Sequence, residues 1–79
     1  MFMVVEAINE VLLANSFYEG AITKKLSLAD DMGIDSLRMV ELIVALEERF
    51  NITFKESDLD PDVINTVGDL YTLVDKYTL

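Results

Sequence analysis

The stretch "DSLRMVELIVALEERF", residues 35–50, decides how this chain folds. Stepping about 100° per residue from Ser36 gathers Met39, Leu42, Ile43, Leu46 and Phe50 on one side of a helix from Ser36 to Phe50. Their spacing is that of a core-facing stripe. Asp35 suits the N-cap, because its carboxylate can accept an N–H that the first turn leaves without a partner. Asn51 is placed to end the helix. The other side carries Leu37, Val40, Glu41, Val44 and Glu48, with Ser36 and Glu47 at its border. An ordinary solvent face does not mix leucine and valine with its acids. Either the helix is buried all round, leaving Glu41 and Glu48 in need of partners inside, or this side docks another protein. In that case the apolar anchors fill a pocket and the carboxylates meet basic groups.

Working outward, residues 3–14 ("MVVEAINEVLLA") read as an amphipathic helix, with Val4, Ala7, Ile8, Val11 and Leu12 on one stripe and Asn15 and Ser16 as stop residues. Residues 16–34 keep no period and are punctuated by Gly20, Ser27 and Gly33. So long a connection needs anchoring, and Phe17, Ile22, Leu26, Leu28 and Met32 are placed to provide it. A second connection spans residues 52–59. Asp60 and Pro61 then predict a short helix with proline at its first position, stopped by Asn65 and Thr66. Thr66 and Asp69 form a variant capping box for a last helix to about Tyr77, striped by Val67, Leu70, Tyr71 and Val74. No strand alternation is convincing. The expectation is an all-α small four-helix bundle, three main helices plus one short helix, with a long first loop, in a single domain over residues 1–79.

Composition narrows the function. Cysteine and histidine are absent, so neither disulfides nor thiolate chemistry on the chain itself is available. The opening "MFMVV" lacks the basic flank and apolar length of a signal peptide, and charges interrupt every apolar run before it could span a bilayer. These features point to the cytoplasm. The net charge of −9 disfavours nucleic acid and anionic membranes as partners and favours proteins with basic patches. Ten of the fifteen acids fall within residues 30–62, against three bases there. That concentration is either plain solubilisation or part of a docking surface.

Ser36 stands near the unpaired N–H groups and positive dipole end of its helix. It is either a plain first-turn residue or the seat of an anion, phosphate above all. It is no nucleophile for catalysis, because no histidine can activate it. "DLDPD" (58–62) imitates the start of a calcium loop, but Val63 stands where a glycine is needed and Asp69 where a bidentate Glu is needed. No metal site is expected beyond weak, nonspecific divalent binding near those acids or near Asp30 and Asp31.

The block "DDMGIDSLRMVELIVALEERF", residues 30–50, closely resembles the phosphopantetheine-attachment block of acyl carrier proteins: acid-acid-apolar-Gly-x-Asp-Ser-Leu, then a helix with Val-Glu-Leu and Leu-Glu-Glu-x-Phe. Length, acidity, the long first loop and "NTVGDLYTLV" extend the resemblance over the whole chain. It implies that Ser36, beside Asp35, is esterified with 4′-phosphopantetheine by a phosphopantetheinyl transferase drawing on coenzyme A. The chain would then be a non-catalytic monomer that carries acyl groups as thioesters. Its partners would be acyl-loading and chain-processing enzymes with basic docking surfaces, met through Leu37, Val40, Glu41, Val44, Glu47 and Glu48. The interior would shelter the acyl chain, with Ile43, Leu46, Phe50, Ile64 and Leu70 either lining that cavity or forming an ordinary packed core. Two departures bear on the pathway. Arg38 stands where fatty-acid members usually carry an acid, and Phe54 and Lys55 stand where a proline and an acid are common. A specialised polyketide, hybrid-peptide or aminoacyl/peptidyl carrier therefore stands beside fatty-acid synthesis. An acidic helical interaction module without a prosthetic group is the alternative of a different class.

Overall fold

A computed structural model of the chain describes residues 2–16, 18–60 and 63–78. Helix α1 runs Phe2–Ala14, α2 Ser36–Phe50 and α3 Val67–Thr78, and a 3-10 turn, Glu56–Leu59, lies between α2 and α3. Among the described residues there is no strand, only an isolated antiparallel bridge between Ser27 and Thr66. The all-α bundle with its long first loop is what the chain builds.

Each helix buries the stripe its periodicity marks. Ile8 and Leu12 of α1, Leu42 and Leu46 of α2, and Val67, Leu70 and Val74 of α3 are wholly buried in one cluster. Val4, Met39, Phe50 and Tyr71 are half-buried at its edge. Helix α1 packs against both other helices, and Arg49 of α2 reaches Glu10 of α1 at 3.0 Å on the surface. At the end of α1, the Asn15 side-chain amide donates to the Val11 carbonyl and the Ser16 hydroxyl to that of Leu12, each at 2.8 Å. These bonds reinforce the last turn, where the Asn15 N–H is shared between the same two carbonyls at 3.1 and 3.2 Å.

The long loop is pinned by Leu28 and Met32, both buried, and more loosely by Ile22 and Leu26. Phe17 lies outside the described residues. Ile34, which no periodicity marks, is also buried. The loop is laced by backbone bonds to the start of α3: Leu28 N–H to Asn65 O, Val67 N–H to Leu26 O and Gly68 N–H to Lys24 O, at 2.9 to 3.0 Å. Position 68 is glycine for a reason of space, since a Cβ there would stand 3.2 Å from both the Lys24 carbonyl oxygen and its Cβ. The capping box is formed as read: Asp69 Oδ2 accepts the Thr66 N–H at 3.0 Å, and the Asp69 N–H reaches Thr66 Oγ1 at 3.2 Å.

One element differs. A 3-10 turn, Glu56–Leu59, stands just before Asp60; the short helix expected from Asp60 and Pro61 falls on residues outside those described. Pro61 and Asp62 themselves lie outside the described residues. Beyond them, the N–H groups of Val63 and Ile64 both bond to the Asp60 carbonyl, at 2.9 and 3.1 Å. Within the 3-10 turn Asp58 is bonded to α3: the Tyr77 hydroxyl donates to Asp58 Oδ2, and Lys76 Nζ lies 3.0 Å from Oδ1.

Candidate functional site

Ser36 is the first residue of α2 and is exposed. The turn before it fixes where it points. Gly33 adopts φ +67°, a left-handed conformation suited to glycine, and its N–H bonds to the Ala29 carbonyl at 3.1 Å. Ile34 N–H bonds back to Leu28 O at 2.9 Å. Asp31 Oδ2 accepts the Ser27 N–H at 2.7 Å, so this carboxylate braces the turn. Asp35 then caps α2 from an extended backbone (φ −81°, ψ −176°), its Oδ1 accepting the Arg38 N–H at 2.8 Å. The chain reaches Ser36 along a hydrogen-bonded path, and the helix start offers its hydroxyl a positive end.

Beside Ser36 opens a cleft of about 510 Å³. Its apolar lining comes from three segments: Leu28, Ala29 and Ile34 from the loop, Met39, Val40 and Ile43 from α2, and Leu59 and Ile64 from the connection to α3, so Val40 borders both the cleft and the outer face of α2. Asp35 and Ser36 themselves line it. Of the residues expected to line an acyl cavity, Ile43 and Ile64 do so. Leu46, Phe50 and Leu70 do not. Leu46 and Leu70 are wholly buried in the packed core, and Phe50 sits at the last turn of α2, about 21 Å from Ser36 along the axis. Helical angle alone grouped Leu46 and Phe50 with Ile43, whereas depth along α2 separates them. Leu28, Ile34, Met39 and Leu59 were not read as cleft residues; Leu28 and Ile34 lie on irregular chain, where no period marks the inward side.

The second side of α2 is open. Leu37 is 69% exposed, Val40 60% and Val44 45%, and Glu41 and Glu48 are exposed between them. The helix is therefore not buried all round. Glu47 is placed otherwise: half-buried, with Oε2 accepting the Phe54 N–H at 2.9 Å, so it holds the following connection. Asp58, from the calcium-like stretch, is held by Tyr77 and Lys76, and these bonds pull its carboxyl below the usual range.

A helical bundle that presents one serine at a helix start, between an apolar cleft and an acidic-apolar face, has the build of a carrier domain. The comparisons agree. Residues 18–74 match the family described as "Phosphopantetheine attachment site". The chain is 36% identical over 58 residues to the acyl carrier protein of Thermotoga maritima, covering 73% of this chain and 69% of that one. It superposes with a TM-score of 0.83 on a solved protein of Mycobacterium tuberculosis assigned as an acyl carrier protein, 38% identical, covering 92% of this chain and 96% of that one. The chain belongs to the acyl carrier protein family, whose members are non-catalytic carriers with a covalently attached 4′-phosphopantetheine. Among the described residues no helix is long and apolar enough to cross a membrane.

Proposed function

We propose that Ser36 is the attachment point of the 4′-phosphopantetheine arm and that the exposed face of α2 is where partner enzymes dock. The observation that carries this is the exposed serine at the start of α2, on the edge of an apolar cleft. The residues fit the group. A phosphodiester at Ser36 lies at the positive end of α2, which favours its charge. Attachment joins the Ser36 oxygen to the phosphate of coenzyme A, releases the nucleotide remainder and passes the hydroxyl proton to the transferase. When bound, the arm supplies the thiol on which acyl groups are held as thioesters. Asp35 holds the first turn in place. Leu37, Val40 and Val44 give partners an apolar foothold, while Glu41 and Glu48 attract basic enzymes. A footprint this small favours modest affinity and rapid exchange.

A broad phosphopantetheinyl transferase with coenzyme A is expected to add one phosphopantetheine to the chain, read by intact mass. Ser36→Ala abolishes the addition while leaving the helical circular dichroism unchanged. Addition to the variant, or none to the native chain, would sink the assignment. For the pathway, Arg38 beside the attachment serine favours a specialised polyketide or hybrid-peptide carrier over fatty-acid synthesis. Loading by a panel of acyl- and aminoacyl-transferring enzymes separates these, and preferential loading with an amino acid would make it a peptidyl carrier.

A further inference from the structure

The turn that presents Ser36 rests on Ser27 and Leu28. The Ser27 carbonyl accepts the N–H groups of Asp31 and Met32, both at 3.1 Å, and the Leu28 carbonyl accepts that of Ile34 at 2.9 Å. Ser27 also offers its side chain, whose Oγ accepts the Asp30 N–H at 3.0 Å. In return Asp31 Oδ2 accepts the Ser27 N–H at 2.7 Å. The same two residues face the other way onto the start of α3. Leu28 N–H reaches the Asn65 carbonyl at 2.9 Å, and Ser27 and Thr66 form the isolated bridge. Leu26 and Lys24 continue the row, accepting the N–H groups of Val67 and Gly68, each at 3.0 Å. A hydrogen-bonded path therefore runs from the first turn of α3 through Ser27 and Leu28 to Ile34, and the chain passes from there into Asp35 and Ser36. Asp31 braces this path from an exposed position, so its carboxylate can be removed without opening the core.

We propose that Asp31 is a positioning residue for attachment of the arm: through Ser27 it holds the segment leading into Ser36, so that the serine meets the transferase already aligned. This rests on attachment at Ser36. It gives Asp31 a task different from that of Glu41 and Glu48, which are exposed on the outer face of α2 and attract partners by charge. The Asp31 carboxylate is turned onto a backbone N–H of its own loop, and there the acceptor oxygen counts rather than the net charge. Transfer needs the Ser36 oxygen in line with the phosphorus–oxygen bond that breaks. An oxygen that wanders from that line loses rate, while docking through α2 is unaffected.

The test uses the full chain as the varied substrate of a broad phosphopantetheinyl transferase, with coenzyme A saturating and loading followed by intact mass. Asp31→Ala lowers kcat about tenfold and leaves KM within about twofold of the native value. Asp31→Asn removes the charge but keeps an oxygen for the Ser27 N–H, and recovers most of that loss. A merely structural role would lower the melting temperature and leave kcat unmoved well below the transition. A docking role would raise KM in both variants alike, in a salt-dependent way. Either result, an unchanged kcat in Asp31→Ala, or equal losses in the two variants overturns the inference. Should Asp31→Ala not fold, Ser27→Ala takes its place, deleting the acceptor of the Asp30 N–H without altering any charge. It lowers kcat at unchanged KM, and an unchanged kcat overturns the inference. Failure of the attachment itself reads separately, as no mass added to the native chain.

Discussion

At its first turn α2 carries an exposed serine on the edge of a cleft of about 510 Å³. At its last turn the same helix runs into Asn51 in the left-handed conformation (φ 55°, ψ 50°), with the Ile52 N–H bonded to Glu47 O at 3.0 Å. Asparagine tolerates that conformation better than most residues. Beyond it Glu47 fastens Phe54, which is buried against Tyr77, which in turn fastens Asp58 and Lys55. The comparison separates two tasks. The C-terminal end is tied across three elements and stabilises the bundle. The N-terminal end is ordered from beneath, by the loop and the Asp35 cap, so that its outer surface stays open to partners.

The contrast can be broken most forcefully at the tied end. Phe54→Ala removes a buried ring and is expected to cost about 3–5 kcal/mol in a denaturant titration. Below its lowered transition it should still accept an arm at Ser36. A loss under about 1 kcal/mol would show that this end does not anchor the fold.

Asp69→Ala comes next. It removes the acceptor for the Asn65 and Thr66 N–H groups, and is expected to cost about 1–2 kcal/mol by the same titration. Because those residues adjoin Ile64 in the cleft, the loss should come with altered chemical shifts at Ile64 but not at Phe54.

Acid should act on the same bonds. Two backbone N–H groups hold the Asp69 carboxyl below its ordinary 3.8, and the Tyr77 hydroxyl, then Lys76, do the same for Asp58. Both give up their protons more readily in the folded chain. Their stabilisation is therefore complete above that ordinary value and is lost as pH falls below it. Melts from about pH 5 to about pH 2 should show the loss, and Asp58→Asn should flatten it. An unchanged acid limb in the variant would mean that Asp58 contributes nothing.

The smallest effect on stability is expected on the open face. Glu41→Lys and Glu48→Lys should leave stability within about 0.5 kcal/mol, yet slow loading by the transferase in a salt-dependent way. Unfolding by either reversal, or unchanged loading rates, would mean that this face is not the docking surface.

Much of this was legible in the residues. The three helices, the Asp35 cap, the Asn51 stop and the Thr66–Asp69 box follow from short-range rules, in which a residue and its partner lie within one helical turn. So does the mixed character of the outer face of α2. The cleft was only partly legible. Ile43 shares the angular side of Leu46 and Phe50, but position along the axis decides which of them borders empty space.

What the chain order by itself determined is therefore the set of helices, their inward stripes and the one serine set at a helix start after an acid. What only the tertiary structure decided is everything that joins distant residues: the lacing of Lys24, Leu26 and Leu28 to the start of α3, the commitment of Glu47 to Phe54, and the capture of Asp58 by Tyr77. Periodicity and capping act over three or four positions and leave a mark in the order of residues. A hydrogen bond between residues 19 positions apart leaves none until packing brings them together.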